Sequence, residues 1–372
     1  MHGGSAIVPY YISRELARRG HEVTTFSSDY KLSREWVESL HQVKVCPFKT
    51  WSSWIKFYVS PGIMNHARKE IKHFDLIHMH NYRTFQNIIV HHYAKKYGVP
   101  YILQAHGSLP RISAWCRLKW FYDILFGYRL LRDASKVIAL SRVEVEQYKG
   151  MGVPEKKITI IPNGIDLSEY ADLPPKGSFK KKFNVPEDKK IILYLGRIHK
   201  IKGIDSLVKA YAHLTKKMNY KDAVLVIAGP DDGFFSEVKV LIKTLKIDDD
   251  NVLLPGSLYG MNKLEAFVDA KIYVLPSRYE TFPMTVLEAY TCGKPVIASN
   301  VGDLKDLVID GETGLLFETG NFKRLAEKTF YLLNNEDEIV KIGKKARRFV
   351  EDRYSIERVV DMLEKLYMEV IS

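Results

Sequence analysis

The stretch PSRYETFPMTVLEAYTCGKPVIAS, residues 276–299, reads as the end of a strand, a loop, a helix, a glycine stop and a second strand. Pro283 suits the first turn of a helix, where its missing N–H has no intrahelical partner to lose. Gly293 and Pro295 end that helix before the β-branched run at 296–298. Glu280 therefore falls in a loop at the carboxyl end of a strand, where open α/β sheets bind their ligands. Glu288 lies about two turns further along the helix. Backbone N–H groups at the helix start are ready anion donors. Two carboxylates beside an anion site are useful if they accept hydrogen bonds from hydroxyls, such as those of a sugar and a ribose. Taken alone, the spacing fits two ordinary helix-terminal and surface glutamates just as well.

Working outward, Gly196-Arg197-Ile198-His199-Lys200-Ile201-Lys202-Gly203 follows an apolar run at 191–195 and precedes another helical pattern. By itself the octapeptide reads as a solvated basic turn. Beside the glutamate segment it gains a purpose: the Arg197 guanidinium and the Lys202 ammonium can reach the same crevice. There they would neutralise a diphosphate as it leaves.

The same strand and helix alternation runs through the whole chain of 372 residues. Strands are expected at 21–26, 76–80, 101–105, 137–139 and 158–161, and again at 191–195, 223–228, 252–254, 272–275, 296–298 and 314–317. Short β-branched runs separated by amphipathic stretches are the pattern of parallel sheets covered by helices. Two sets of strands, and a length too great for one core, predict two α/β domains facing a cleft. Their boundaries are expected at 1–170 and 187–352, joined by a linker at 171–186 in which Pro174-Pro175 and Gly177 supply turn chemistry. The last helix, 353–372, is expected to cross back to the first domain.

Gly3 and Gly4 lead directly into a helical pattern, with Ile7, Val8, Tyr11, Ile12 and Leu16 on one face and Gly20 as the cap. A doubly wound domain places a strand before such a turn, and only Met1 and His2 precede it. Either translation starts upstream of Met1, which is the expectation favoured, or the domain lacks its central strand.

The formal charge is +12, so the surface attracts anions. The basic residues are scattered along helical segments, which argues against nucleic acid as a partner. Three cysteines with no C-x-x-C pair exclude a disulfide framework or a cysteine-rich zinc site and fit a cytoplasmic protein. No apolar run reaches the length of a membrane span. His78 and His80 point the same way on a strand but lack a carboxylate or a close third ligand, so they are read as bordering an acceptor rather than a metal. Asp248-Asp249-Asp250 reads as a solvated turn. No G-x-G-x-x-G follows a strand, which excludes a dinucleotide oxidoreductase. The stretches 51–58 and 115–131 mix aromatics with Lys and Arg. Such segments suit an anionic membrane surface, and buried core helices account for them equally.

Taken together, Gly3-Gly4, LARRGHEV at 16–23, DLIHMH at 75–80, His106-Gly107, IPNGID at 161–166, Gly196-Arg197, Lys202-Gly203 and ETFPMTVLEA at 280–289 resemble the retaining glycosyltransferases of family 4, also called glycosyl transferases group 1. That family includes phosphatidylinositol mannosyltransferases, sucrose-phosphate synthases and many polysaccharide-assembly enzymes, and its fold is called GT-B.

The resemblance implies two Rossmann-like domains and a UDP- or GDP-linked sugar as donor substrate. It implies neither a separate cofactor nor a metal. Arg197 and Lys202 would hold the donor diphosphate, Glu288 the ribose hydroxyls and Glu280 the hydroxyls of the transferred sugar. Phe282, Pro283, Met284 and Thr285 would line the sugar and phosphate pocket, with Gly3 and Gly4 also on the donor. Many members carry glycine where this chain has Pro283, which removes one backbone donor. His106 would position the transferred sugar in the transition state. The acceptor would be a glycan or a lipid-linked molecule of cell-surface polysaccharide or glycolipid assembly, met in the cytoplasm or at the inner face of the membrane. An epimerase or hydrolase of the same architecture, or a non-catalytic binding protein descended from a transferase, are the competing readings.

Overall fold

The computed structural model describes residues 4–53, 57–111 and 115–372. The chain forms two compact units, one of residues 1–165 with 356–372 and the other of residues 166–355.

In the first unit the described chain opens with a helix, Gly4–Arg18. Val8, Tyr11, Ile12 and Leu16 are buried along it, and Gly20 follows with a φ of 94°. The strands are β1 (Val23–Ser28), β2 (Val43–Phe48), β3 (Ile77–His80), β4 (Tyr101–Gln104), β5 (Lys136–Ala139) and β6 (Ile158–Ile160). They make two parallel sheets, β1-β2 and β3-β4-β5-β6. Sequence reading finds five of these strands and misses β2, because Pro47 lies within it. Proline is tolerated on an edge strand, where its missing N–H breaks no ladder. The core of this unit gathers Ile63, Met79, Tyr82, Leu103, Val137 and Tyr148.

The last helix, Ile356–Ile371, belongs to this unit. It buries Val359, Val360, Leu363 and Leu366. Arg19 meets Asp361 at 2.7 Å and Glu364 at 2.6 Å, and Lys136 meets Glu369 at 2.7 Å. At its start the chain passes so close to Gly164 that a Cβ there would stand 3.0 Å from the Ile356 Cα.

The second unit carries β7 (Lys190–Leu195), β8 (Ala223–Ala228), β9 (Val252–Gly256), β10 (Ala270–Leu275), β11 (Val296–Ser299) and β12 (Gly314–Phe317). All pair in parallel in the order β12-β11-β10-β7-β8-β9. This is the doubly wound order, with its switch point between β7 and β10. Every residue of β8 is buried, as is every residue of β11. Sheets covered by helices on both faces require such continuous apolar strands.

Residues 171–186, expected as a linker, are instead part of this unit. A short helix, Ser178–Lys182, buries Phe179 completely, and the Asp269 carboxylate accepts the N–H groups of Gly177 at 2.6 Å and Lys180 at 3.0 Å. Turn residues identify a loop but not the surface that it packs on. The first unit likewise ends at Ile165 rather than near 170, since Tyr170 is buried in the second.

Candidate functional site

The switch point puts the loops after β7 and β10 side by side. The loop after β7 tightens into a 3₁₀ turn, Lys200–Lys202, started by His199, whose Nδ1 accepts the Ile201 N–H at 3.1 Å. From the other loop, the Arg278 N–H donates to the Ile201 carbonyl at 2.8 Å, and the Arg278 guanidinium reaches the Lys200 carbonyl at 2.5 Å and Asp205 at 2.7 Å. Gly203, at a φ of 67°, packs so closely that a Cβ would run into the Pro276 carbonyl. The two loops are therefore locked together, and the lock aims one lysine.

Lys202 Nζ lies 2.5 Å from Glu280 Oε1, with the two side chains 15% and 7% exposed. The same oxygen accepts the Ser277 hydroxyl at 2.6 Å. Behind Glu280, Gly302 has a φ of 52°, and a Cβ there would strike the Glu280 carbonyl. Arg197, expected in the same crevice, pairs instead with Asp232 and is half exposed. Its carbonyl accepts the Tyr194 hydroxyl at 2.8 Å.

The helix Met284–Thr291 starts directly after this loop, with Pro283 as its cap residue at φ −75° and ψ 113°. The proline sits one position before the first helical turn predicted for it. No acidic side chain stands in the first turn and the cap residue makes no side-chain hydrogen bond; the Val286 N–H is taken by the Pro283 carbonyl at 3.1 Å, and the helix start keeps its partial positive charge. Thr285 accepts the Tyr273 hydroxyl at 2.7 Å, Met284 is buried, and the Phe282 ring packs against Tyr354 at 5.7 Å. Gly293 ends the helix in the left-handed region, as expected.

Glu288, further along the same helix, is buried and paired with Lys263 at 2.8 Å. Burial lowers the Lys263 pKa, but the charge and hydrogen bond of Glu288 outweigh it, and the net shift is upward. Ser277 stands three residues from Glu280 in the sequence and was missed there, although that proximity was a signal for it. Lys263, on the helix Gly260–Asp269, and Asp232, in the loop after β8, come from other elements and left no local signal.

Gly3 lies outside the described residues, and Gly4 is the first residue of the opening helix. His106 follows β4 in the left-handed region at φ 52°, with Gly107 at 73°. Few residues other than glycine adopt that conformation without cost. The buried Glu144 carboxylate holds it by accepting the N–H of Gly107 at 2.6 Å and that of Leu140 at 2.7 Å. His106 Nε2 meets His80 Nδ1 at 2.9 Å, the His80 and His78 rings lie 4.1 Å apart, and His78 Nδ1 meets the Tyr367 hydroxyl at 2.7 Å. Burial pushes His106 down to about 4. Burial and then the neighbouring His106 bring His78 down to about 3. His80 is lowered as well, by burial first and then by both neighbours. All three rings are neutral at pH 7. His106 Nδ1 is buried and has no partner among the described residues.

Residues 175–349 match the family model described as Glycosyl transferases group 1, and residues 2–169 match that described as Glycosyltransferase Family 4. The chain is 26% identical over 387 aligned positions to an N-acetyl-alpha-D-glucosaminyl L-malate synthase of Bacillus anthracis, covering 99% of this chain and 94% of the relative. Its fold is similar to that of Anabaena HepE in complex with UDP and glucose, with a TM-score of 0.80 at 17% identity, over 99% of this chain and 96% of the other. A sucrose-phosphate synthase of Thermosynechococcus elongatus superposes with a TM-score of 0.75 at 23% identity, over 99% and 93% of the two chains. The fold is GT-B.

Proposed function

Because the chain belongs to glycosyltransferase family 4, and so is a glycosyltransferase by class, we propose that it moves a sugar from a UDP- or GDP-linked donor to a glycan or lipid-linked acceptor, with retention of anomeric configuration. The observation that carries this reading is the desolvated Lys202–Glu280 pair at the switch point, beside the open N-terminus of the helix Met284–Thr291.

A donor entering there would exchange the direct ion pair for two better matched sets of contacts. The diphosphate takes the Lys202 ammonium, the helix N–H groups and Arg197 once it leaves Asp232. The sugar hydroxyls donate to Glu280, and the ribose hydroxyls donate to Glu288. Phe282, Pro283, Met284 and Thr285 form the wall beside them. Cation and dipole matter most as the bond from the anomeric carbon to the phosphate oxygen breaks, because negative charge grows on the diphosphate at that moment. The acceptor oxygen attacks from the face that the diphosphate leaves, and a phosphate oxygen takes its proton. The glutamates bind hydroxyls in this scheme and act neither as nucleophile nor as acid, so the carboxylate-separation rule of glycoside hydrolases does not apply. For His106 the family resemblance supports a role as a neutral hydrogen-bonding and positioning group for the transferred sugar.

The complex of the structurally similar Anabaena protein with UDP-glucose makes UDP sugars the first to test. The competing epimerase or hydrolase reading is separated by product analysis. A labelled nucleotide sugar incubated with membrane and glycan fractions should yield acceptor-linked label with the anomeric configuration of the donor. Free sugar or an epimer as the sole labelled product would overturn the transferase assignment.

A further inference from the structure

Among the described residues, large apolar side chains left in water are concentrated in one place. Leu118, Trp120, Phe121, Ile124, Leu125 and Phe126 are each between 38% and 56% exposed, within nine consecutive positions. They lie on one continuous helical segment made of Cys116–Tyr122, a π-helical turn at Asp123–Gly127, and Tyr128–Asp133.

The inward face of this segment is firmly anchored. Asp123, fully buried, takes Arg83 at 2.9 and 2.8 Å and Arg111 at 2.8 Å. Arg83 also donates to the carbonyls of Ser108 and Leu109. The Tyr122 hydroxyl donates to the Thr84 carbonyl at 3.1 Å, and Leu130 and Leu131 are buried. Gly127 stands against the Tyr82 hydroxyl with no room for a Cβ. The outward face is thus held in place rather than left over from a frayed helix, and it is apolar.

Its charges indicate what covers it. Between residues 116 and 133 the acids are Asp123 and Asp133, while the bases are Arg117, Lys119, Arg129 and Arg132. With Asp123 consumed inside and Asp133 held by Lys95, Arg132 and His91 at 2.8–3.1 Å, the outward face offers aromatic and aliphatic side chains flanked by cations. A surface of bulky apolar groups flanked by Arg and Lys suits the boundary between anionic headgroups and acyl chains, with Trp in the layer where an amphipathic ring is favoured. A second copy of the chain would bring Arg117 and Arg129 against their own copies across a twofold axis. No helix among the described residues is long and apolar enough to cross a bilayer, so the segment would lie in the interface.

We propose that the helical segment 116–133 docks the protein on an anionic lipid surface, with Phe121 and Leu125 at the centre of the inserted face. The inference rests on this surface and holds whichever sugar is transferred.

Flotation of the full chain with vesicles tests it. Vesicles of phosphatidylcholine mixed with phosphatidylglycerol should carry the protein upward, less so at raised salt, and pure phosphatidylcholine should carry far less. The double variant Phe121→Ser with Leu125→Ser should partition about tenfold more weakly or worse with its thermal unfolding midpoint unchanged. The variant Arg117→Gln with Arg129→Gln should lose the preference for anionic vesicles. Absence of wild-type flotation on anionic vesicles, or equal flotation of the serine variant, would overturn the proposal. So would light scattering that shows a dimer dissolved by the serine substitutions in the absence of lipid. Thermal shifts with nucleotide sugars, measured on the same samples, report the donor site separately, so failure of one reading is distinguishable from failure of the other.

Discussion

Lys202 and Glu280 form an ion pair 2.5 Å long at the point where the strand order of the second unit reverses. They lie 78 positions apart in sequence and both are largely withdrawn from water. Removing one partner from such a pair leaves a buried charge without compensation, which typically costs about 3–5 kcal/mol. Lys202→Ala and Glu280→Ala should each lose stability on that scale in urea denaturation. The double variant Lys202→Met with Glu280→Gln should recover most of it, because neither charge remains and Gln can still accept the Ser277 hydroxyl. All three should lose donor binding and about a hundred- to a thousandfold in kcat. A stable double variant that still turns over normally would remove the pair from the mechanism.

Glu288 should show a different signature. Its proposed contact, with ribose hydroxyls, is made equally before and during the reaction, so Glu288→Gln should raise KM about ten- to a hundredfold with kcat much less changed. Lys263→Met should raise KM in the same direction by leaving Glu288 unpaired. Steady-state kinetics that show a loss confined to kcat would contradict this division of roles.

Two glycines should differ sharply although both have positive φ. Gly98, at 72°, has open space where a Cβ would go, whereas Gly302, at 52°, has the Glu280 carbonyl there. Gly98→Ala should cost only the backbone strain of about 1 kcal/mol. Gly302→Ala must also push Glu280 aside, so its thermal response to a nucleotide sugar should vanish while that of Gly98→Ala persists.

The histidine row predicts a pH dependence. His78 and His106 have folded pKa values depressed by burial to about 3 and about 4, and His80 moves in the same direction. In the unfolded chain each takes up its proton near pH 6.5. The unfolded state therefore binds more protons between these limits, and stability falls as the pH drops below about 6.5 towards 4. Denaturation midpoints should be flat above pH 7 from this source and decline steeply below pH 6. His106→Gln should make that decline shallower by up to one proton, and an unchanged slope would show that His106 is not neutral in the folded protein.

Much of the architecture could be read from local pattern, because most strands are short, largely apolar runs bounded by turn residues. β2 was hidden by Pro47, and the segment 171–186 was taken for a linker because Pro174-Pro175 and Gly177 speak of turns and say nothing of Asp269, which binds them. At the site, Glu280, Glu288 and Lys202 were legible from motif and position. Their partners were less so. Lys263 and Asp232 reach Glu288 and Arg197 through tertiary packing alone, and the left-handed backbone of His106 depends on Glu144, whose role has no trace in its neighbours. The amphipathic stretch at 115–131 left core and surface readings equally open. The buried Asp123 and the exposed Phe121 and Leu125 decide for the surface, whereas residues 54–56 of the other such stretch lie outside the described ones.

Thermal unfolding of the wild type and of the Lys202→Met, Glu280→Gln double variant, with and without a panel of UDP and GDP sugars, tests the central claim most directly. A ligand at about a hundred times its dissociation constant adds about 2.7 kcal/mol to the stability of the state that binds it. At least one nucleotide sugar should raise the wild-type midpoint by several degrees and leave that of the variant where it was. No shift with any nucleotide sugar, or the same shift in both proteins, would contradict the assignment of the donor site to the Lys202–Glu280 loops.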